Sequence, residues 1–317
     1  MSLRSGPPRK KKATQGTKGT KGTGRKPRPN PLLSPRHSPI RVICGYSPPP
    51  SLSIPPFRVY LYGGMEKDTD IIALNTASGR GVIRADAGEL AETLRGGGPE
   101  TLLDSAEILK DSRSTKAGIA PWPGEPERRP LLFVKRHNIK SAVHAAKYAL
   151  RKPRAFREFR ASRQIEALGL PTPKPLAALA TRRAGLIPGP SYFIAEAVRN
   201  VVPTLDFLRD AFADSALMEE YVAAVTGFLS KLHSAGILHG DAKCSNFFVI
   251  RAGDAFSYGL WDLLSCRFRG APVGRQDAEK EAARFADSLA KIAARLSMEP
   301  PDAAARGAVL RAYASTG

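Results

Sequence analysis

The sequence predicts an α+β protein with two lobes, a small sheet lobe followed by a short helical lobe. Two observations lead to this prediction. Short apolar runs typical of strands alternate with helical patterns between residues 106 and 198, whereas long amphipathic helical patterns dominate from 199 to 317. The 317 residues, 42% of them hydrophobic, are enough for two lobes with a sizeable core. A cleft between two such lobes is a natural place for a ligand site.

Residues 1–56 are predicted to be a disordered basic tail. This stretch is rich in Gly, Pro, Thr and Lys, and it cannot bury enough apolar surface to offset the entropy of ordering. Residues 1–58 contain thirteen Lys or Arg and no Asp or Glu, whereas the rest of the chain carries only +7 of the net charge of +20. Three interpretations remain open: an arm that binds anionic polymers non-specifically, an organelle transit peptide, or sequence upstream of a true start at Met65.

Residues 57–105 form an N-terminal extension to which the sequence assigns no fold and no function. Within it, "DAGELAETLRGGG" (86–98) predicts a short helix that begins near Asp86 and is stopped by the glycines. The sheet lobe is predicted to begin only after this extension, at residue 106.

The sheet lobe, residues 106–198, is predicted from a series of short patterns. The continuous apolar run in "RPLLFVKRH" (129–137) is the mark of a strand buried on both faces. The other patterns are an alternating strand (106–110), a polar turn (111–118), helices at 141–150 and 154–169, and an apolar strand at 191–198.

The helical lobe, residues 199–317, is predicted to contain three helices and a hairpin. Amphipathic periodicity and the glycine that follows it mark the longest helix, which closes at Gly236. The predicted elements are a helix with Thr204 as its N-cap, the long helix at 216–236, a hairpin formed by 247–250 and 257–261, and a terminal helix at 277–296.

The stretch "GILHGDAKCSNFFVI" (236–250) carries the first chemical signal. Asp241 and Asn246 stand five residues apart, directly before an apolar strand, and the predicted hairpin returns Asp262 to the side of Asn246. A carboxylate and an amide oxygen that meet in this way suit Mg²⁺, which takes one or two carboxylates together with phosphate oxygens. Asp241 would lie nearby and could accept a proton from an attacking hydroxyl. The alternative is a turn whose Asp and Asn only cap the chain locally.

Lys135 carries the second signal, because it ends a strand that is predicted to be buried. A buried ammonium is costly unless it meets an anion, and Glu158 on the following helix is an available partner. A Lys–Glu pair that presents its ammonium to phosphates is the remaining part of a phosphoryl-transfer site. The alternative is a strand-end lysine that simply reaches solvent.

The ordered set Lys135, Glu158, "HGDAKCSN" and Asp262 resembles the protein-kinase-like fold. Within that superfamily, "LLFVKRH", "FREFRASRQIEALGLPTPKPLAAL", "SYFIAEAV" and "LHGDAKCSNFFV…LWDL" are similar to the lipopolysaccharide kinase family, bacterial enzymes that phosphorylate sugars of the lipid A core. The resemblance covers roughly residues 105–295. It implies a bilobal protein-kinase-like fold with a small antiparallel-sheet N-lobe and a short helical C-lobe.

The resemblance also implies a role for each site residue, with ATP and Mg²⁺ as cofactors. Lys135 would hold the α- and β-phosphates, Glu158 would orient it, and Asp241 would be the base. Asn246 and Asp262 would hold Mg²⁺. The remaining expected contacts are backbone groups from Glu196 to Val198 for the adenine and the turn residues Ser112, Ser114 and Thr115 for the phosphates.

The sequence departs from the protein-kinase pattern in four ways, of which the glycine at 240 and the short helical lobe favour a small-molecule acceptor. Gly240 stands where protein kinases have an arginine, "WDL" replaces Asp-Phe-Gly, no G-x-G-x-x-G is present, and the helical lobe is short. The predicted function is therefore ATP- and Mg²⁺-dependent phosphorylation of a lipid-linked or free sugar acceptor. The alternatives are an atypical protein serine/threonine kinase and a non-catalytic kinase-like binding module.

The protein is predicted to be cytoplasmic. A peripheral position at the cytoplasmic face of the inner membrane is a second form of this prediction. No run of about 18 apolar residues occurs, and the three cysteines have no metal-binding spacing. The basic stretch "KYALRKPRAFREFR" (147–160) is interpreted either as a solvated face or as a contact with an anionic acceptor or the membrane surface.

Overall fold

The computed structural model describes residues 70–124, 130–141, 151–183 and 187–316, all of which belong to one compact unit. The predicted disordered tail, the start at Met65 and most of the helix predicted at 141–150 lie outside the described residues. None of the helices in the described ranges is long and apolar enough to cross a bilayer.

An antiparallel sheet of seven strands forms the first half of the structure, in the order β1-β2-β6-β7-β5-β4-β3. In the described ranges, three helices accompany it. The strands are β1 Ile71–Thr76, β2 Gly79–Arg84, β3 Glu107–Asp111, β4 Thr115–Ala120, β5 Leu132–His137, β6 Pro175–Arg183 and β7 Ile187–Glu196. The helices are α1 Gly88–Gly96, α2 Glu100–Asp104 and α3 Arg154–Ala167.

The sheet begins well before residue 106, where the sequence placed the start of the lobe. The β1–β2 hairpin pairs with β6, and α1 begins at Gly88, two residues after its predicted start. Gly79 and Gly81 permit this pairing, because a Cβ at either position would meet the β6 backbone at Ala180 or Ala178. Residues 70–105 are therefore part of the sheet lobe.

Both faces of the sheet are covered, as the continuous apolar run of β5 predicts. On one face, α1 and α2 pack over Leu132 and Val134. On the other face, Phe156 and Phe159 of α3 pack against Phe193. Because side chains alternate along a strand, Lys135 and His137 point to the α3 face, whereas Arg136 points toward α2 and binds Glu100 at 2.8 Å.

The second half of the structure is mostly helical and confirms the predicted α+β class. Its apolar core is centred on aromatic rings, with Tyr221, Phe247 and Phe285 in edge contacts at 5.7 Å between ring centroids. Its helices are α4 Thr204–Ala213, α5 Ser215–Ser234, α6 Arg275–Leu296 and α7 Arg306–Ser315. Its short strands are β8 Val201–Val202, β9 Ile237–Leu238, β10 Phe247–Ala252, β11 Ala255–Leu260 and β12 Arg267–Phe268.

Two details of the helical half differ from the sequence predictions. Thr204 is the first residue of α4 and does not cap it, whereas Asp214 caps α5 by accepting hydrogen bonds from the N–H groups of Ala216 and Leu217. The helix predicted as terminal is followed by α7, whose Tyr313 hydroxyl lies 2.8 Å from His233 Nδ1. The chain after residue 297 therefore completes the helical core.

Candidate active site

Lys135 of β5 lies between two carboxylates that come from distant parts of the chain. Its Nζ is 2.7 Å from Glu158 Oε1 on α3 and 2.8 Å from Asp262 Oδ1 beyond β11. Glu158 is buried, and its second oxygen is 2.9 Å from His137 Nε2. The structure thus brings Lys135, Glu158 and Asp262 together, with His137 as an additional neighbour that the sequence reading missed.

The charges of this cluster stabilise one another in the ionised form. Burial alone would lower the pKa of Lys135, but Glu158 and Asp262 outweigh it and raise that pKa above its usual value. Burial alone would raise the pKa of each carboxyl, but the Lys135 ammonium lowers the pKa of both Glu158 and Asp262. A buried ion pair contributes little net stability, so this arrangement points to a functional role.

The loop at 239–246 holds Asp241 by three contacts. Asn246 Nδ2 donates to the Asp241 carbonyl oxygen at 2.8 Å and to Asp241 Oδ2 at 3.1 Å. Lys243 Nζ lies 2.8 Å from the same Oδ2. Because the amide nitrogen of Asn246 is committed to Asp241, its Oδ1 is the atom left to bind a cation. The sequence analysis did not predict a role for Lys243, although its position two residues after Asp241 indicates that its ammonium could reach the carboxylate of the predicted base.

Gly240 has a structural reason to replace the arginine of protein kinases. Its φ is +80°, in the left-handed region, and a Cβ there would meet the backbone oxygen of Ser265. The loop and the 263–265 turn therefore touch backbone to backbone, and any larger residue at 240 would separate them.

Helix α6 supports the loop with a stripe of polar side chains that the sequence reading missed. Glu281 is buried and accepts hydrogen bonds from the N–H groups of His239, at 2.9 Å, and Gly240. Ser288 Oγ accepts from Cys244 N–H at 2.8 Å, and Arg284 Nη1 donates to the Gly240 carbonyl oxygen at 3.3 Å. The spacing of 281, 284 and 288 places all three on one face of the helix. The same spacing, read from the sequence, could have indicated this polar face.

Glu281 also joins the loop to α5, because its Oε2 lies 2.9 Å from His233 Nε2. Burial alone would raise the pKa of Glu281, but the His233 contact and the two backbone N–H groups lower it below its ordinary value. His239 is fully buried, and burial lowers its pKa below the ordinary value.

Stability is expected to fall in acid because of these carboxyls. The pKa values of Glu158, Glu281 and Asp262 are lowered by folding, so the unfolded chain binds more protons below their ordinary values of 4.5, 4.5 and 3.8. Their contribution is complete above about pH 4.5 and is lost as the pH falls through the folded-state pKa values. Urea denaturation at a series of pH values measures this loss. An unfolding free energy that stays constant from pH 7 to pH 3 would contradict the prediction.

Asp262 is positioned by the hairpin of β10 and β11. Phe247 pairs with Leu260, and Trp261 N–H donates to the Asn246 carbonyl oxygen at 3.0 Å, so Asp262 follows directly after the residue that pairs with the loop. The strand ends at Leu260, one residue earlier than predicted, and Asp262 adopts a left-handed conformation with φ 58°. Such a conformation is costly outside glycine and often marks a functional residue.

The oxygen donors fit the predicted magnesium ion. Asp262 has a half-exposed side chain that offers a carboxylate oxygen, and Asn246 offers an amide oxygen; Mg²⁺ takes such donors together with phosphate and water oxygens. Among the described residues there is no cluster of three or more His, Cys, Asp or Glu that would form an all-protein metal site. The donor set is typical of Mg²⁺ shared with a nucleotide.

The predicted phosphate-binding turn is closed largely by its own groups. Ser112 N–H donates to the Thr115 carbonyl oxygen at 2.9 Å, and its hydroxyl donates to the same oxygen at 2.9 Å. The Ser114 hydroxyl lies 3.4 Å from that of Ser112. Thr115 pairs with His137 and therefore shares the sheet face of Lys135. That Ser112, Ser114 and Thr115 meet the phosphates stays a prediction.

The segment predicted to contact adenine is tied into the sheet. Glu196 N–H donates to the Lys174 carbonyl oxygen at 2.9 Å, and Ala197 N–H donates to the Leu131 carbonyl oxygen at 2.7 Å. Val198 makes no backbone hydrogen bond with the described part of the chain.

Comparison with known proteins identifies the family. A model of the lipopolysaccharide kinase (Kdo/WaaP) family matches residues 130–305, a segment that contains Lys135, Glu158, Asp241, Asn246 and Asp262. A solved structure described as WaaP in complex with acyl carrier protein is similar, with a TM-score of 0.48 and 18% identity over 68% of this chain and 82% of that chain. No curated protein matches this chain. The match covers more than half of the 317 residues, so the chain belongs to the lipopolysaccharide kinase (Kdo/WaaP) family and is a kinase with the predicted kinase-like fold.

Proposed function

We propose that the protein transfers the γ-phosphoryl group of ATP, with Mg²⁺, to a sugar hydroxyl of a lipopolysaccharide core or a similar glycan, lipid-linked or free. One observation carries this proposal. The carboxylate of Asp241 is oriented through a single oxygen, beside a cluster in which Lys135 is already held between Glu158 and Asp262. Family membership supports the sugar as acceptor.

The proposed binding of ATP, the phosphoryl donor, follows from the ion pairs around Lys135. Glu158 holds the ammonium on the α3 face of the sheet, where it would meet the phosphates of ATP. Asp262 and Asn246 would hold Mg²⁺, which neutralises charge on the phosphates when bound. Val198 N–H would bind the adenine. Ser114 and Thr115 would cover the phosphates.

The proposed activation of the sugar hydroxyl follows from the different contacts of the two carboxylate oxygens of Asp241. Oδ2 receives hydrogen bonds from Asn246 and Lys243, so its position is fixed. Oδ1 is left to accept the proton of the attacking hydroxyl as the new O–P bond forms. Lys243 would stabilise the charge on the transferred phosphoryl group. A lipid-linked acceptor would place this reaction in the cytoplasm, at the inner-membrane surface.

Binding of ATP with Mg²⁺ should raise the thermal unfolding temperature of the wild type and fail to do so in Asp262→Asn. At an ATP concentration about 100 times the Kd, binding adds about 2.7 kcal/mol to the free energy of unfolding. Asp254→Asn, in the exposed turn of the same hairpin, is the matched control and should respond as the wild type does.

The same proteins should then be assayed for ADP release with a lipid A–core acceptor. Acceptor-stimulated release by the wild type and Asp254→Asn, but not by Asp262→Asn, is the expected result. A wild type that neither responds to ATP nor releases ADP with any sugar acceptor would overturn the proposed function. Incorporation of phosphate into protein substrates, in place of sugars, would favour the protein-kinase alternative.

A further inference from the structure

The helix that carries Glu158 is bound near its C-terminal end by a closed network of four charged side chains. Asp70 directly precedes β1 and Arg84 ends β2, whereas Arg163 and Glu166 lie on α3. Asp70 Oδ2 is 2.6 Å from Arg163 Nη1 and 3.5 Å from Arg84 Nη2. Glu166 Oε2 is 3.1 Å from Arg84 Nη1 and 3.8 Å from Arg163 Nη1. Each carboxylate therefore contacts both guanidinium groups, and we call these four residues the α3 ion-pair network.

The contact between Asp70 and Arg163 is the most directional part of this network. Arg163 donates from Nη1 to Asp70 Oδ2 at 2.6 Å and from Nη2 to Asp70 Oδ1 at 2.9 Å. Single exposed ion pairs contribute little, but a bidentate pair between an arginine and a carboxylate has a fixed geometry. The network therefore sets both the distance and the orientation of α3 relative to the β1–β2 hairpin.

The hairpin also reaches α3 next to Glu158 itself. Ile71 of β1 is buried in the same apolar cluster as Phe156 and Phe159, which lie two residues before and one residue after Glu158. Arg163 lies five residues further along the helix, which corresponds to about 7.5 Å along its axis. Because a helix moves as a rigid element, a shift at the network would be transmitted to Glu158.

The N-terminal end of α3 contributes little to its own position. Pro153 precedes the helix without a side-chain capping hydrogen bond, and the first turn contains no acidic residue. Arg157 donates to the Leu264 carbonyl oxygen at 3.2 Å, but this contact is exposed. The position of α3 therefore depends on its packing against the sheet and on the ion-pair network.

A displacement of α3 would change the partners of Lys135. The ammonium of Lys135 lies 2.7 Å from Glu158 Oε1 and 2.8 Å from Asp262 Oδ1. Without Glu158 it would keep only Asp262, the proposed Mg²⁺ ligand, and would be drawn away from the position in which it meets phosphates. A displacement of about 1 Å in a reacting site can cost about 100-fold in rate.

We propose that Asp70 is a positioning residue of the kinase site, which acts through Arg163 and α3 to keep Glu158 on Lys135. The inference rests on the proposed function and adds a role for the β1–β2 hairpin. Asp70 precedes residue 130, where the family match begins. The element that positions Glu158 therefore includes chain outside the matched segment.

Hydrogen exchange of the protein without nucleotide tests whether Asp70 holds the helix. Asp70→Asn removes the charge and keeps the size of the side chain. Peptides from α3 should exchange about tenfold faster than in the wild type, because a charge-assisted hydrogen bond that opposes local opening is lost. Peptides from α5 should keep the wild-type rate. Equal exchange of α3 in Asp70→Asn and the wild type would overturn the inference.

The matched control is Asp206→Asn. Asp206 forms an exposed ion pair with Arg209 at 3.1 Å on α4 and has no part in the network. Its substitution should leave the exchange of α3 and the kcat of the enzyme unchanged.

Steady-state kinetics with a sugar acceptor tests whether Asp70 acts through Glu158. Asp70→Asn should lower kcat by about 10- to 100-fold and leave KM for the acceptor within about twofold, because the acceptor is bound away from α3. In the Glu158→Gln background, Asp70→Asn should lower kcat by less than about twofold further, since the group that it positions is already altered. Arg163→Lys, which keeps the charge and loses the bidentate contact, should have an intermediate kcat.

The two measurements separate this inference from the proposed function. Equal fold losses of kcat in the wild-type and Glu158→Gln backgrounds would show that Asp70 only supports the fold, and would overturn the inference while leaving the kinase intact. A wild type without kinase activity would overturn the proposed function. The exchange of α3 would then still decide whether Asp70 holds the helix that carries Glu158.

Discussion

Asp241→Asn is expected to lower kcat by about 10²- to 10⁴-fold, the range that a general base contributes. An asparagine keeps the size of the side chain and can still accept hydrogen bonds from Asn246 and Lys243, so the loop should remain in place. Its amide cannot take up the proton of the attacking hydroxyl. The Kd for ATP should change little, because the proposed contacts with ATP and Mg²⁺ are made by Lys135 and Asp262.

Steady-state kinetics with a saturating sugar acceptor measures this effect, and thermal unfolding checks that the variant is folded. Asp254→Asn, in the exposed β10–β11 turn, should retain the wild-type kcat. A kcat for Asp241→Asn within tenfold of the wild type would show that Asp241 is not the base.

Glu281→Ala is expected to lower the free energy of unfolding by about 3–5 kcal/mol, the usual cost of removing one partner from a buried charged network. The substitution leaves the N–H groups of His239 and Gly240, together with the His233 ring, without their acceptor. Unpaired buried donors each carry a desolvation cost. The loop that holds Asp241 should shift as well, so kcat should fall in the fraction that remains folded.

Chemical denaturation of wild type and variant measures the loss, and Glu279→Ala is the matched control. Glu279 lies two residues earlier on α6, is half-exposed and pairs with the solvent-exposed Arg275, so its removal should leave the denaturation midpoint unchanged. Equal midpoints for Glu281→Ala and the wild type would mean that the loop does not depend on this carboxylate.

The sequence was a good guide wherever local pattern and structure depend on the same physics. The apolar run of β5 predicted a strand covered on both faces, and α1 and α3 provide the two covers. Gly236, with a φ of +72°, follows the long helix that it was predicted to close. The hairpin of β10 and β11 could be predicted because two short apolar runs flank a polar turn.

The features that escaped prediction depend on distant contacts. Glu281 and Glu279 look alike in sequence, and only the packing of α6 on the loop makes one buried and the other half-exposed. The role of residues 70–105 depends on β6, about 100 residues later, whose backbone the glycines of β2 approach. Propensity alone favoured Thr204 as a cap, whereas Asp214 caps the next helix, since the choice depends on the backbone conformation before each helix.

The cover that α1 and α2 provide has a practical consequence for the design of shorter fragments. The family match starts at residue 130, yet Leu132 and Val134 of β5 are shielded by α1 and α2. A fragment trimmed to the matched segment would display this apolar surface to water and would tend to aggregate. The segment matched by the family model is therefore shorter than the packed sheet lobe, and a fragment for expression should include the strands and helices that begin at Ile71.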